Sequence, residues 1–426
     1  MILERCAAVR ISIISPSTGN TMSGLIEMRD TNEYVNNKAE RLTHECTRSS
    51  SSTFTRRKSI GVPCMALAIA AVSCGTSSAH AQSSVTLYGL IDVAVYHQTG
   101  VAGGSETMMS EGALQGSRFG LKGAEELGGG WKAIFTLENG FAVYNGKLGQ
   151  QGQLFGRQAF VGLSYKGSAT TQSLTFGRQY TAPFLISSLF DALQWANPLS
   201  LSWPSLLMGC RFDNTIQYSF SGYGINTMLQ YSVGGTPGSV TVGSTLAGSA
   251  MYSTGPFTLG GTFEKSRDAN DKTMNYAGIH AGLSLGNAKL YAQYLLSLRD
   301  PDFTPGASGT TTPLANASLL SNAGNPNTRR DGVIVLGASY LFVPALQGSV
   351  GFFRDHVSGA IDGGRGDVTT VYSVLDYLLS KRTDVYVEAA FTRLSGAEIN
   401  DKFVPSGTFN GGRSSTQVAL GLRTRF

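Results

Sequence analysis

The sequence predicts an all-β fold, a 16-stranded antiparallel transmembrane β-barrel, and three observations predict it. Glycine accounts for 53 of 426 residues and aromatics for 10%, while only 14% of residues are charged, against roughly 25% in an ordinary globular chain. About sixteen segments alternate apolar and polar residues with a period of two, the period at which successive side chains of a strand point to opposite faces. The connections between those segments alternate between short and long, which is the layout of an outer-membrane barrel, with tight turns on one side and loops on the other.

The same composition excludes other classes. No stretch of 18 apolar residues exists, so the chain has no helical membrane span. A hydrophobic content of 42% is too high for wholesale disorder. The net charge of +5 is scattered along the chain and forms no basic element that would track a nucleic acid.

The N-terminus is separate from the fold. Arg56-Arg57-Lys58 precedes an apolar run from Ile60 to Cys74, and Ala79-His80-Ala81 supplies a small-x-small site before Gln82. A basic start, an apolar middle and small residues at the end form a secretory signal peptide, here over 56–81. Residues 1–55 are polar and aperiodic and read as an unexplained extension whose start is placed too far upstream. The barrel is expected over 82–426.

Within that part the first segment puts Val85, Leu87, Ile91, Val93 and Val95 on one parity and Thr86, Tyr88, Asp92 and Tyr96 on the other. Trp131, Ala133, Phe135 and Leu137 alternate with Lys132, Ile134, Thr136 and Glu138. Val385, Val387, Ala389 and Phe391 alternate with Tyr386, Glu388, Ala390 and Thr392, and the last segment sets Val418, Leu420 and Leu422 against Gln417, Ala419 and Arg423. Segments begin near 84, 115, 131, 154, 173, 211, 224, 243, 257, 273, 288, 330, 346, 367, 383 and 414. Turns such as Ser221-Gly222-Tyr223 and Gly286-Asn287 are short, whereas 300–329 and 396–412 are long and polar. A soluble β-sandwich is the competing fold. Its outward face would carry many Lys and Glu, and here the polar face is sparse and rich in Gly and Tyr. In lipid an open sheet edge leaves backbone groups without partners, so the first and last segments must pair.

Several stretches carry a family resemblance: Ser84–Asp92, Ser117–Glu126, Phe155–Leu163, Phe176–Tyr180, Asp213–Tyr218 and the terminal Arg425-Phe426. Together they resemble the general porins of the Gram-negative outer membrane, most of all the betaproteobacterial type. The resemblance implies a homotrimer of barrels in the outer membrane, each with an inward-folded third loop, passing small hydrophilic solutes and ions by passive diffusion without a cofactor. It implies contact with membrane lipid and lipopolysaccharide, and recognition of the last strand, ending at Phe426, by the barrel-insertion machinery. It also implies a constriction at which Arg118, Arg157, Arg178 and Arg211 on the wall face carboxylates on the third loop. Such opposed rows make a transverse field that sorts solutes by charge.

The third loop, roughly 181–209, departs from that pattern. Asp191 is the only carboxylate between Arg178 and Asp213, and the loop is strongly apolar. Leu185, Leu189 and Leu193 stand at helical spacing, which predicts a short helix on the inner wall, ended by Pro198 and Pro204. Few acids predict an eyelet that favours anions or amphiphilic solutes; the alternative function is a solute-specific channel with a narrowed apolar eyelet.

Signals for catalysis are weak. Gly282-Leu283-Ser284-Leu285-Gly286 matches G-x-S-x-G but lies inside an alternating segment, whereas a nucleophile elbow needs a strand, a sharp turn and a helix. His97, His280 and His356 lack metal-ligand spacing. The expectation is a channel with no enzyme activity, no cofactor and no nucleic-acid partner.

Overall fold

A computed structural model describes residues 83–101, 103–195, 203–305, 321–401, 409 and 412–426. The expected extension and signal peptide, and Pro198 of the third loop, lie outside the described residues.

The described residues form seventeen strands. They are β1 (Ser84–Val101), β2 (Gly104–Glu111), β3 (Arg118–Gly128), β4 (Trp131–Gly140), β5 (Gln158–Lys166), β6 (Thr170–Tyr180), β7 (Arg211–Gly222), β8 (Ile225–Ser232) and β9 (Thr245–Thr254). Then follow β10 (Phe257–Arg267), β11 (Thr273–Leu285), β12 (Ala288–Arg299), β13 (Arg329–Val343), β14 (Leu346–Ser358), β15 (Arg365–Leu378), β16 (Thr383–Gly396) and β17 (Ser414–Arg425). From β3 onward each strand pairs antiparallel with the next. The ring closes where β1 pairs β17, with Leu90 opposite Arg425 and Val95 opposite Leu420.

The barrel has sixteen positions because β2 and β3 share one. β1 pairs β3 over Ser84–Leu90 and β2 over Val93–Val101. The strand expected near 115 is thus split, and 112–117 leaves the wall between the two halves. All sixteen expected starts fall within four residues of an observed strand, and β2 is the one that periodicity missed.

Polarity is inverted relative to a water-soluble fold. In β17, Val418, Leu420 and Leu422 are exposed while Ser415, Gln417 and Arg423 are buried. Val85, Leu87 and Val161 likewise face outward at 58–65% exposure. This arrangement suits an exterior in hydrocarbon, where apolar side chains cost nothing and backbone polar groups are satisfied in the ladder. The short turns carry the backbone that they require. Tyr223 and Gly224 both have positive φ, 55° and 77°, the pair of left-handed residues that a two-residue hairpin of matching twist demands.

At the seam, Phe426 and Gly89 exchange backbone hydrogen bonds at 3.1 Å each. A Cβ on Gly89 would stand 2.5 Å from the Phe426 ring, so only glycine lets the terminal aromatic lie across the first strand.

The connection from β6 to β7 turns inward. Its helix α1 (Ala182–Ser188) begins at Thr181, whose Oγ1 accepts from Phe184 N at 3.1 Å, with proline in the first turn. It packs on the wall of β8–β11. Gln230 of β8 accepts from Ala182 N at 2.6 Å and donates to Tyr180 O at 2.8 Å. Gln293 of β12 accepts from Ser187 Oγ at 2.6 Å and donates to Phe190 O at 3.0 Å. Farther along, Trp203 Nε1 donates to Thr370 Oγ1 of β15 at 3.1 Å. Trp195, Trp203 and Phe184 join Val333, Val335, Phe353 and Tyr372 in one buried apolar cluster. The helical spacing of Leu185, Leu189 and Leu193 thus corresponds to a helix one turn shorter, which ends at Ser188 and continues as turns.

Candidate constriction site

Tyr180, the last residue of β6, organises the basic wall. Its hydroxyl accepts from Arg157 and from Arg211 Nη2, the latter at 3.0 Å, and the Arg211 guanidinium lies 4.5 Å above its ring. Cation–π attraction and two charge-assisted hydrogen bonds therefore gather two guanidinium groups on one phenol. Tyr180 is itself stacked on Phe184 of α1 at 5.5 Å, so the inward loop fixes the ring that fixes the arginines.

Arg157 lies immediately before β5 and pairs with Glu138 of β4, Nε to Oε1 at 2.7 Å. Tyr88 of β1 donates to the other oxygen of Glu138 at 3.0 Å. Arg118, first residue of β3, donates from Nε to Gly116 O at 3.1 Å. The charges of Arg118, Arg157 and Arg211 act on one another and on Glu138. All four side chains are buried. Arg211 has no carboxylate partner among the described residues, and its Nε has no hydrogen-bond acceptor there.

Arg178 stands close enough to act on Arg211, but its guanidinium is engaged elsewhere. It pairs with Asp213 Oδ1 at 2.5 Å and donates to Gly156 O at 2.7 Å. A β-bulge between Gly177 and Gln179 turns this part of β6.

Asp191 lies apart from the arginines. Its Oδ2 accepts from Leu193 N at 2.9 Å and Trp195 N at 3.1 Å, and its Oδ1 accepts from Tyr372 of β15 at 2.9 Å. The carboxylate closes the turn after α1 and ties it to the wall. Burial pushes the Asp191 carboxyl up to about 6, against the hydrogen bonds from Trp195, Tyr372 and Leu193 that favour its charged form. An acid whose folded value is raised binds its proton more tightly in the folded state. The stability linked to Asp191 is therefore fully present below about pH 4 and lost as the pH rises from about 4 to about 6. Asp191→Asn is expected to remove a loss of about 1 kcal/mol between pH 5 and pH 7, read from thermal melting of the folded barrel at both pH values. A pH 5-to-7 difference equal to that of the unaltered protein would contradict this role.

The structure thus brings together Arg118, Arg157 and Arg211, sets Arg178 beside them in an ion pair, and holds Asp191 on Leu193, Trp195 and Tyr372. Sequence reading missed Glu138 and Tyr180 as site residues. Glu138 sits on the inward parity of β4, and a lone carboxylate at that position was the available signal. Tyr180 had none beyond closing the Phe176–Tyr180 motif. Ser284 lies inside β11, which is followed by a two-residue turn and β12, so the local geometry of a nucleophile elbow is not there.

The sequence profile described as the Gram-negative porin family matches residues 66–397. An outer membrane porin of Bordetella pertussis is 27% identical over 405 residues, covering 84% of this chain and 99% of the relative. Among solved structures, the anion-selective porin from Comamonas acidovorans superposes with a TM-score of 0.63 at 22% identity, covering 81% of this chain and 100% of that one. The trimer form of OmpT from Vibrio cholerae does so with a TM-score of 0.57 at 13% identity, covering 81% and 99%. The profile match spans most of the chain, and the closed sixteen-position barrel with its apolar exterior agrees with it. The chain therefore belongs to the Gram-negative porin family and forms a channel in the outer membrane.

Proposed function

We propose that this porin, a water-filled channel for passive diffusion of small hydrophilic solutes, passes anions in preference to cations. One observation carries the reading. Three guanidinium groups, Arg118, Arg157 and Arg211, converge around Tyr180 with one carboxylate, Glu138. The acid of the inward loop, Asp191, is bound to Tyr372 instead. Arg178 and Asp213 cancel. A surplus of fixed positive charge in a narrow, low-dielectric passage raises the local anion concentration and repels cations. The selectivity named for the Comamonas protein agrees with this reading.

The family match supports general diffusion over a channel dedicated to one solute. The chain has no catalytic step in this reading and needs no cofactor. Residues 56–81 direct export and are removed after Ala81. The barrels associate as a homotrimer, as in the trimer form of OmpT, and Phe426 at the seam is the residue that the insertion machinery reads.

A planar-bilayer recording in a KCl gradient tests the proposal. The reversal potential is expected on the chloride side, with openings in groups of three and a current that does not saturate. A reversal potential on the potassium side would refute the anion preference, and saturation by one solute would restore the solute-specific alternative.

A further inference from the structure

The segment 112–117 is the one part of the second wall position that leaves the barrel, and its anchoring is specific. Asp92 stands where β1 changes partner from β3 to β2. Its backbone carbonyl accepts from Gly112 N at 2.8 Å and from Ser117 Oγ at 3.0 Å, so one residue clasps both ends of the segment. Its carboxylate accepts from Gln115 N at 2.7 Å and from the Tyr386 hydroxyl at 2.6 Å. Tyr386, from β16, also accepts from Ala113 N at 2.8 Å and Leu114 N at 3.3 Å. A Cβ on Gly421 of β17 would stand 2.1 Å from the Tyr386 ring, so the ring lies flat against the wall with its hydroxyl aimed at the segment.

Two consequences meet here. The segment's Gly116 carbonyl holds Arg118 Nε at 3.1 Å. Its Ala113 and Leu114 pack in one buried cluster with Tyr386, and Leu193 of the inward loop packs against that cluster. Leu193 also packs against the cluster that holds the loop to the wall.

We infer that segment 112–117 is a second selectivity element of this channel, meeting the third loop at Leu193, and that Tyr386 and Asp92 are positioning residues that fix Arg118 through it. The inference deepens the anion reading above and rests on it for the sign of the effect. Tyr386 touches no permeating ion in this account. It acts by satisfying two backbone donors of the segment, and loss of those acceptors lets the segment and its Gly116 carbonyl shift.

The test uses the full-length barrel in planar bilayers under a KCl gradient, with Tyr386→Phe, Ser117→Ala, Arg118→Gln and the Tyr386→Phe/Arg118→Gln pair. Tyr386→Phe keeps the ring and removes the hydroxyl. It is expected to lower the chloride-to-potassium permeability ratio by about twofold. In the Arg118→Gln background it is expected to change the ratio no further, the non-additivity of two groups acting in series. Ser117→Ala removes the hydroxyl that clasps the segment to Asp92 O without changing charge, and carries the same expectation if Tyr386→Phe does not fold. A fall in heat stability with the ratio unchanged in Tyr386→Phe and Ser117→Ala would make the segment a strut only and overturn the inference. A shift of equal size with and without Arg118 would overturn the route through that residue. If the unaltered channel prefers potassium, the anion reading fails by itself, and the dependence on Arg118 still decides the inference.

Discussion

Arg211→Glu is expected to abolish the anion preference, lowering the chloride-to-potassium permeability ratio by about tenfold. Arg211 is the guanidinium of the site with no carboxylate partner among the described residues. It is held by the hydroxyl and the ring of Tyr180. Its charge therefore adds directly to the field in the passage. The substitution removes one positive charge and adds one negative, leaving Arg118 and Arg157 against two acids. The double variant Arg178→Gln/Asp213→Asn makes the contrast, because the two charges of that pair cancel, and their joint loss should shift the ratio much less. Reversal potentials of the two variants in the same gradient check both statements. Equal effects from both would mean that the pairing seen at Arg178 does not set the field.

The second large effect concerns stability. Arg329, at the start of β13, is fully buried and contacts three acids: Asp331 at 3.1 Å, Asp401 at 2.5 Å and Glu398 at 3.2 Å. Arg299 shares Asp331, and Asp355 is buried nearby with neither carboxylate oxygen hydrogen-bonded among the described residues. Glu398 and Asp401 belong to the connection after β16, so Arg329 pins that connection to the wall. Arg329→Gln removes the shared counter-charge and is expected to cost about 3–5 kcal/mol at pH 8, the scale for breaking a buried ion pair on one side. Burial already pushes the Glu398 carboxyl up to about 7 in spite of Arg329. Glu398 therefore binds a proton more tightly in the folded state, and the stability linked to it is lost as the pH rises from about 4 to about 7. The defect of the variant is accordingly expected to shrink at pH 5. Thermal melting at pH 5 and 8, with protease cleavage after Gly396 as a local probe, measures it. Equal stability of variant and unaltered protein at pH 8 would refute the assignment.

The strands were legible because lipid on one side and a passage on the other impose a period of two throughout, and that period needs no long-range information. The split at 112–117 was not legible. Gly112-Ala113-Leu114-Gln115-Gly116 breaks the alternation only briefly, and what draws it inward is Tyr386, far away in sequence, with Asp92. The arginine cluster was legible as residues: Arg118 and Arg157 lie in motifs, and Arg211 stands seven residues before Tyr218. Their surroundings were not, because Glu138 and Tyr180 acquire meaning only when β4, β5 and β6 stand side by side. Asp191 shows the limit most clearly. As the sole acid of the loop it suggests a charge facing the passage, yet in an apolar loop a carboxylate is held by backbone amides and a tyrosine hydroxyl, which lower the cost of its burial.

The pairing of β1 with β17 bears on how the chain reaches this state. Contacts such as Ser415 to Thr99, 316 residues apart, form only after the last segment has left the ribosome and crossed the inner membrane. Until then the first strand has an unpaired edge, and the apolar residues of every strand face water. A topology dominated by such distant pairings folds slowly and is prone to aggregate on the way. The barrel therefore cannot close until the last strand has arrived. The seam closes the longest loop in the sheet, so its pairing is expected to form more slowly than any single hairpin.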